Sequence, residues 1–112
     1  IIDDYLDFAG RESEFGKTLG SDLEEGVYTL PVIRGLASAE RDRVVRILHA
    51  RSHGKRFSML KKLLQKTGAL SYAREKAADF IARAKLELDV FPESGFKTSL
   101  LALADYVIQR ER

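Results

Sequence analysis

Three carboxylates fall within five residues near the start of the sequence, in Asp3-Asp4-Tyr5-Leu6-Asp7. In a helix, Asp3 and Asp7 are i,i+4 neighbours and Asp4 and Asp7 are i,i+3 neighbours, so all three share one face. The other sides carry Ile1, Ile2, Tyr5, Leu6 and Phe8. A helix that is apolar all round except for an acidic stripe reads as buried and facing something cationic. Clustered like charges destabilise a helix and are costly to bury unpaired. A divalent metal resolves both problems. Gly16-Lys17 and Gly20-Ser21-Asp22 follow within the next fifteen residues.

The remaining polar clusters are weaker. Arg51-Ser52-His53-Gly54-Lys55-Arg56, with Lys61 and Lys62, is basic but has one aromatic neighbour, Phe57, and straddles a helix break. It reads as a solvated connector rather than a nucleic-acid surface. His49 and His53 are i,i+4 but have no acidic or cysteine partner nearby, so they read as a surface pair. The absence of cysteine excludes disulfides and thiolate metal sites and fits a reducing, cytoplasmic setting. No run approaches a transmembrane helix, which predicts no stable membrane anchor. Net charge is +2, but eight acids against two bases put residues 1–30 at −6 and the remainder at +8. The acidic end would attract metal, and the basic remainder would tolerate anionic partners.

The elements that must position these residues are helical: only two prolines occur and apolar residues recur at helical spacing. The first helix runs to about Phe8 and ends near Gly10. Residues 10–26 form a glycine-punctuated loop with at most a short turn of helix. Thr29 is an N-cap, with Pro31 in the first turn of a helix reaching Leu36. Ser38 caps the next helix, with Val44, Ile47 and Leu48 inward and Gly54 as its break. Phe57, Leu60, Leu63 and Leu64 mark another, stopped by Gly68. A long helix over 71–89 turns Ala77, Phe80, Ile81, Ala84 and Leu88 inward, and Pro92 ends it. Ser94 or Thr98 starts the last helix, with Leu100, Leu103, Ala104, Val107 and Ile108 inward.

The segment IIDDYLDFAGRESEFGKTLGSDLEEGVYTLPVI resembles the second aspartate-rich region of the trans-isoprenyl diphosphate synthases, the polyprenyl synthetases, and LLALADYVIQRER resembles the end of the same family. DDYLD, GK and GSDLEEGVYTLP come in order at family spacing. The resemblance is looser between Arg34 and Leu88. It implies an all-α fold, the C-terminal part of the isoprenoid synthase helical bundle. Family chains are much longer and carry an earlier aspartate-rich motif that is absent here. Residues 1–112 are therefore expected to be the C-terminal segment of a polyprenyl synthetase domain, inactive alone. The apolar side of the first helix (Ile1, Ile2, Tyr5, Leu6) is then expected to be open to water unless it docks on its own remainder or on another copy.

The resemblance implies condensation of isopentenyl diphosphate with an allylic diphosphate in a homodimeric parent. The hard step is departure of diphosphate, whose charge Mg²⁺ neutralises. Mg²⁺ is usually held by one or two carboxylates plus substrate phosphates and waters. Asp3, Asp4 and Asp7 match that demand, Asp3 being also catalytic, and Asp22 of the G-x-D organises metal-bound water. Lys17 is implied as the catalytic lysine contacting the allylic diphosphate. Gly16 and Gly20 let the backbone approach phosphate, and lysine is a point charge suited to it. Arg110 and Arg112 are implied to fold over isopentenyl diphosphate. Val27 stands where many members carry a second lysine, so that contact is missing. The alternative is a non-catalytic helical subunit or interaction module of a two-component prenyltransferase, against which the intact acidic stripe argues. A terpene cyclase is disfavoured because its second metal motif uses Asn and Ser or Thr.

Overall fold

The computed structural model describes residues 1–10, 19–51 and 53–110, and all regular structure among them is helical, as expected. The elements are α1 (Ile2–Ala9), α2 (Ser21–Glu24), α3 (Leu30–Leu36), α4 (Arg41–Leu48), α5 (His53–Lys66), α6 (Ala69–Glu87), a 3₁₀ turn (Leu88–Val90) and α7 (Gly95–Gln109). No described helix is long and apolar enough to cross a membrane.

Helical spacing builds the main core. Val44 and Leu48 are i,i+4 on α4, and Leu60, Leu63 and Leu64 repeat at i,i+3,i+4 on α5; all five are buried. They meet Phe8, Leu23, Val32 and Leu70. Gly35 lets α3 approach closely, since a Cβ there would lie 2.5 Å from Leu64 Cδ2. Fully burying side chains of this size contributes about 1.5–3 kcal/mol each. A smaller cluster fastens α1 to the other end of the chain: Ile2, Leu6 and Ala77 pack with Val107 and Ile108. Lys85 and Asp105 join α6 to α7 at 2.7 Å on the surface.

Several boundaries differ from the sequence expectation. Thr29 holds the N-cap position of α3 with extended backbone, but its hydroxyl makes no capping bond. Glu40 is the N-cap of α4. Ser38 lies two residues earlier, donating to Gly35 O at 2.6 Å and accepting from Glu40 N at 3.2 Å, so it ties the end of α3 to the start of α4. Gly54 does not break α4, which ends at Leu48; it lies in the first turn of α5, where backbone N–H groups lack intrahelical partners anyway and a glycine costs little. Gly68, at φ 77°, separates α5 from α6 as expected. Ser94 rather than Thr98 caps α7, accepting from Lys97 N at 3.1 Å.

The inward stripe predicted for α6 is fully buried only at its first member, with Ile81 and Leu88 half-buried. Ala77 is buried, whereas Phe80 is 50% exposed and Ala84 is open. On α7, Val107 and Ile108 pack inward, but Leu100 and Leu103 are 49% and 57% exposed. The stripes have the right period, but no described element fully covers their distal parts. The molecule measures 54 × 33 × 20 Å, so its thin dimension holds two helix layers of about 10 Å each. Its radius of gyration, 16.6 Å, exceeds the roughly 13 Å of a rounded domain of this length.

Candidate functional site

α1 forms the floor of the site. Its apolar side is not open to water: Ile2 and Leu6 are 7% and 3% exposed, and only Ile1, at 39%, stays open. Of the two outcomes expected for this helix, it takes the one in which it docks on its own remainder. Tyr5 is half-buried with the Arg74 guanidinium 5.6 Å from its ring centroid. The nearby cavity of about 480 Å³, lined by Tyr5, Leu70 and Arg74 among others, is on the far side of α1 from Asp3, because Tyr5 projects about 200° around the helix from it.

The three aspartates have three different environments. Asp7 is 2% exposed. Its Oδ1 accepts from the Ser21 hydroxyl at 3.2 Å, and its Oδ2 accepts from Asp22 N–H at 3.2 Å. Its carbonyl accepts from Gly20 N–H at 3.0 Å. The Gly20-Ser21-Asp22 segment is therefore wrapped around Asp7, whose carboxylate accepts from the Ser21 hydroxyl and the Asp22 N–H in the first turn of α2. Charge-assisted bonds of this kind offset the cost of burying the carboxylate. Gly20 makes the wrap feasible: it sits at φ 82°, and an added Cβ would lie 2.6 Å from the Phe57 ring. That ring stacks on Phe8 at 5.7 Å between centroids.

Asp4 is partly exposed, with Oδ2 3.6 Å from the Ile1 amino nitrogen. Asp3 is the most open of the three, its side chain 67% exposed, and it pairs with the Arg110 guanidinium across the whole length of the chain. The expected convergence of all three carboxylates is not what the structure holds: among the described residues, no group of three or more His, Cys, Asp or Glu is arranged to hold a metal ion. The physical reason is that Asp7 turns inward to bond Ser21 and Asp22. Asp22 sits half-buried directly after Gly20 and Ser21, its carbonyl accepting from Val27 N–H at 2.9 Å. Lys17 and Arg112 lie outside the described residues.

What remains is one open carboxylate, Asp3, a partly open one beside it, Asp4, and a buried one a turn below, Asp7. The chemistry of this all-oxygen set suits a hard divalent cation that takes only one or two protein carboxylates alongside other oxygen ligands. No local pattern marks the Asp3–Arg110 pair, formed by residues at opposite ends of the chain, and sequence reasoning does not reach it. It also missed Arg56, taken as part of a solvated connector. The Arg56 guanidinium instead reaches Leu48 O at 3.5 Å and Leu23 O at 3.3 Å, at the ends of α4 and α2, where a cation complements the helix dipole.

Residues 1–67 match the polyprenyl synthetase family model. The chain is 37% identical to a short chain isoprenyl diphosphate synthase of Methanothermobacter thermautotrophicus, over 99% of this chain and 35% of that protein. It is 29% identical to heptaprenyl diphosphate synthase component 2 of Bacillus subtilis, over 99% of this chain and 32% of that one. Among solved structures it is similar to a polyprenyl synthase from Caulobacter crescentus complexed with calcium and isoprenyl diphosphate, with a TM-score of 0.82 and 30% identity over 99% of this chain and 35% of that one. The chain thus spans about a third of the length of the relatives it matches.

Proposed function

The chain belongs to the polyprenyl synthetase family, and from that membership we propose that it carries the second metal-binding half of a prenyltransferase site, acting on isopentenyl diphosphate and an allylic diphosphate. The rest of the site, including the other aspartate-rich motif, would come from polypeptide outside these residues. The carrying observation is the knot at Asp7. It joins DDYLD to GSD through three hydrogen bonds and leaves Asp3 open at the rim.

In this reading Asp3 is the direct metal ligand, and Asp4 and Asp22 act on the same ion, Asp22 through water. Asp7 supports this set from below through its hold on the start of α2. Mg²⁺ would neutralise the departing diphosphate as the allylic C–O bond ionises. The alkene of isopentenyl diphosphate then attacks the allylic cation, and a proton is lost. Lys17, which lies outside the described residues, would place its ammonium on the diphosphate. Arg110 neutralises Asp3 when no cation is present and turns to substrate diphosphate when one is, and Arg112 adds a second guanidinium to the same role. A homodimeric parent in the cytoplasm belongs to the same reading.

A second reading, a non-catalytic subunit of a two-component enzyme, has one observation in its favour: the Bacillus relative is itself named as one component. Steady-state condensation of isopentenyl diphosphate with an allylic diphosphate separates the two. Turnover by the intact protein alone that EDTA abolishes and Mg²⁺ restores supports the enzyme. Absence of turnover until a second polypeptide is added supports the subunit.

A further inference from the structure

The proposed reaction makes no use of the strongly basic stretch of the chain. Residues 41–66 contain nine lysines and arginines and a single acid, Asp42. Where α4 and α5 pack together, Arg43, Arg46 and Ile47 (i, i+3, i+4) face Met59, Lys62 and Lys66 (i, i+3, i+7). These residues line two adjoining cavities of about 230 and 300 Å³ that share Arg43, Ile47 and Met59. The result is a groove with an apolar floor and a cationic rim. Ile47 is half-buried against the core, and Met59 is 54% exposed. At one end Glu40 neutralises the rim, 3.3 Å from Arg43 and 3.5 Å from Lys66. Further along, Arg46 reaches only the Asp42 carbonyl, at 3.4 Å, and Lys62 has no carboxylate partner among the described residues.

We propose that this groove docks an acidic amphipathic helix from a partner polypeptide. Its apolar stripe would lie on Ile47 and Met59, and its flanking carboxylates would meet Arg46 and Lys62. Helix-in-groove recognition uses this combination of apolar anchors at i, i+3, i+4, i+7, and an unbranched thioether adapts well to such anchors. Concavity disfavours a bilayer, since the apolar face of α5 (Leu60, Leu63, Leu64) is already buried in the core and leaves little to insert. The apolar floor offers no aromatic platform for nucleic-acid bases. The exposed apolar stripe of α7 on a second copy is a poor match, since that helix has one acid, Asp105, which Lys85 already holds.

The test uses a fluorescein-labelled synthetic helix of about 18 residues, spanning ~27 Å, with leucines at i, i+3, i+4, i+7 and glutamates beside them. Fluorescence anisotropy with the intact protein should show micromolar binding that weakens with added salt. The Arg46→Glu/Lys62→Glu double variant should bind at least tenfold more weakly, and so should a scrambled peptide of equal composition. Equal binding of the scrambled peptide, or undiminished binding by the double variant, overturns the proposal. So does binding of phosphatidylserine vesicles or duplex RNA with no binding of the peptide. Crosslinking guards against a misfolded double variant: the chain has no cysteine, so Met59→Cys introduces a unique thiol. A maleimide-bearing peptide should label Met59→Cys well above Ser58→Cys, an exposed position that lines neither cavity; equal labelling counts against the groove.

Discussion

Asp7 is a carboxylate that ties two segments of the chain together rather than opening to solvent. Its side chain accepts from Ser21 and Asp22 while 2% exposed. Asp7→Ala should therefore destabilise the protein by about 2–4 kcal/mol in urea unfolding, because two donors are left without their acceptor. A change below about 0.5 kcal/mol would mean that the knot is not what holds the loop. Arg110 makes the opposite case. Its pair with Asp3 is solvent-exposed, so Arg110→Gln should alter unfolding by less than about 1 kcal/mol while raising the KM for substrate; an unchanged KM removes it from the diphosphate grip. The sequence made the aspartates visible as a group but not their division of labour. Spacing places three side chains on one face; which of them turns inward depends on Ser21 and Asp22, fourteen and fifteen residues away.

Most of the helices were legible because their apolar period is set locally. α1, α3 and α5 follow the spacing of buried residues, α7 follows its predicted stripe only at the half-buried Val107 and Ile108, and Gly68 and Ser94 act where their chemistry predicts. The misses have a common physical origin. Ser38 and Gly54 each have a local preference for a helix boundary, and tertiary packing moved the boundary by a few residues. The short helix α2 has too few residues to show a period, and its start is held by Asp7, which accepts from the Ser21 hydroxyl and the Asp22 N–H. Gly20 is the critical position of that element. Gly20→Ala combines a left-handed φ with a clash against Phe57, so it should cost about 1–3 kcal/mol and lower activity with it; calorimetry showing an unchanged Tm would contradict this. Glu40 supplies a pH test for the packing of α4 on α5. Desolvation pushes its carboxyl up, but Lys66 and Arg43 outweigh that and hold it below its ordinary value of 4.5. A depressed folded value stabilises the protein above the unfolded pKa, and this is lost as pH falls through the folded one. The Tm difference between wild type and Glu40→Gln should therefore be present at neutral pH and vanish in acid; a difference that does not change with pH would rule the pairing out.

At the scale of the whole molecule, two helix layers leave one side unfinished. Phe96, Leu100 and Leu103 form an i, i+4, i+7 stripe on α7, with exposures of 87%, 49% and 57%. Apolar patches beyond a few hundred Å² are uncommon on soluble monomers. The isolated 112-residue chain should accordingly self-associate in light scattering, and Phe96→Ser/Leu103→Ser should shift it toward monomer; a monomeric wild type would show that this face tolerates water. The same unfinished side accords with a chain that spans about a third of its relatives, so activity must be read from the intact protein. The central claim is that DDYLD supports departure of diphosphate, and the most direct measurement is kcat/KM for condensation by the intact protein carrying Asp3→Ala. We predict a fall on the order of 10²-fold or more, from lost stabilisation of the leaving group. A variant that folds normally and condenses its substrates at a near wild-type rate would contradict the account.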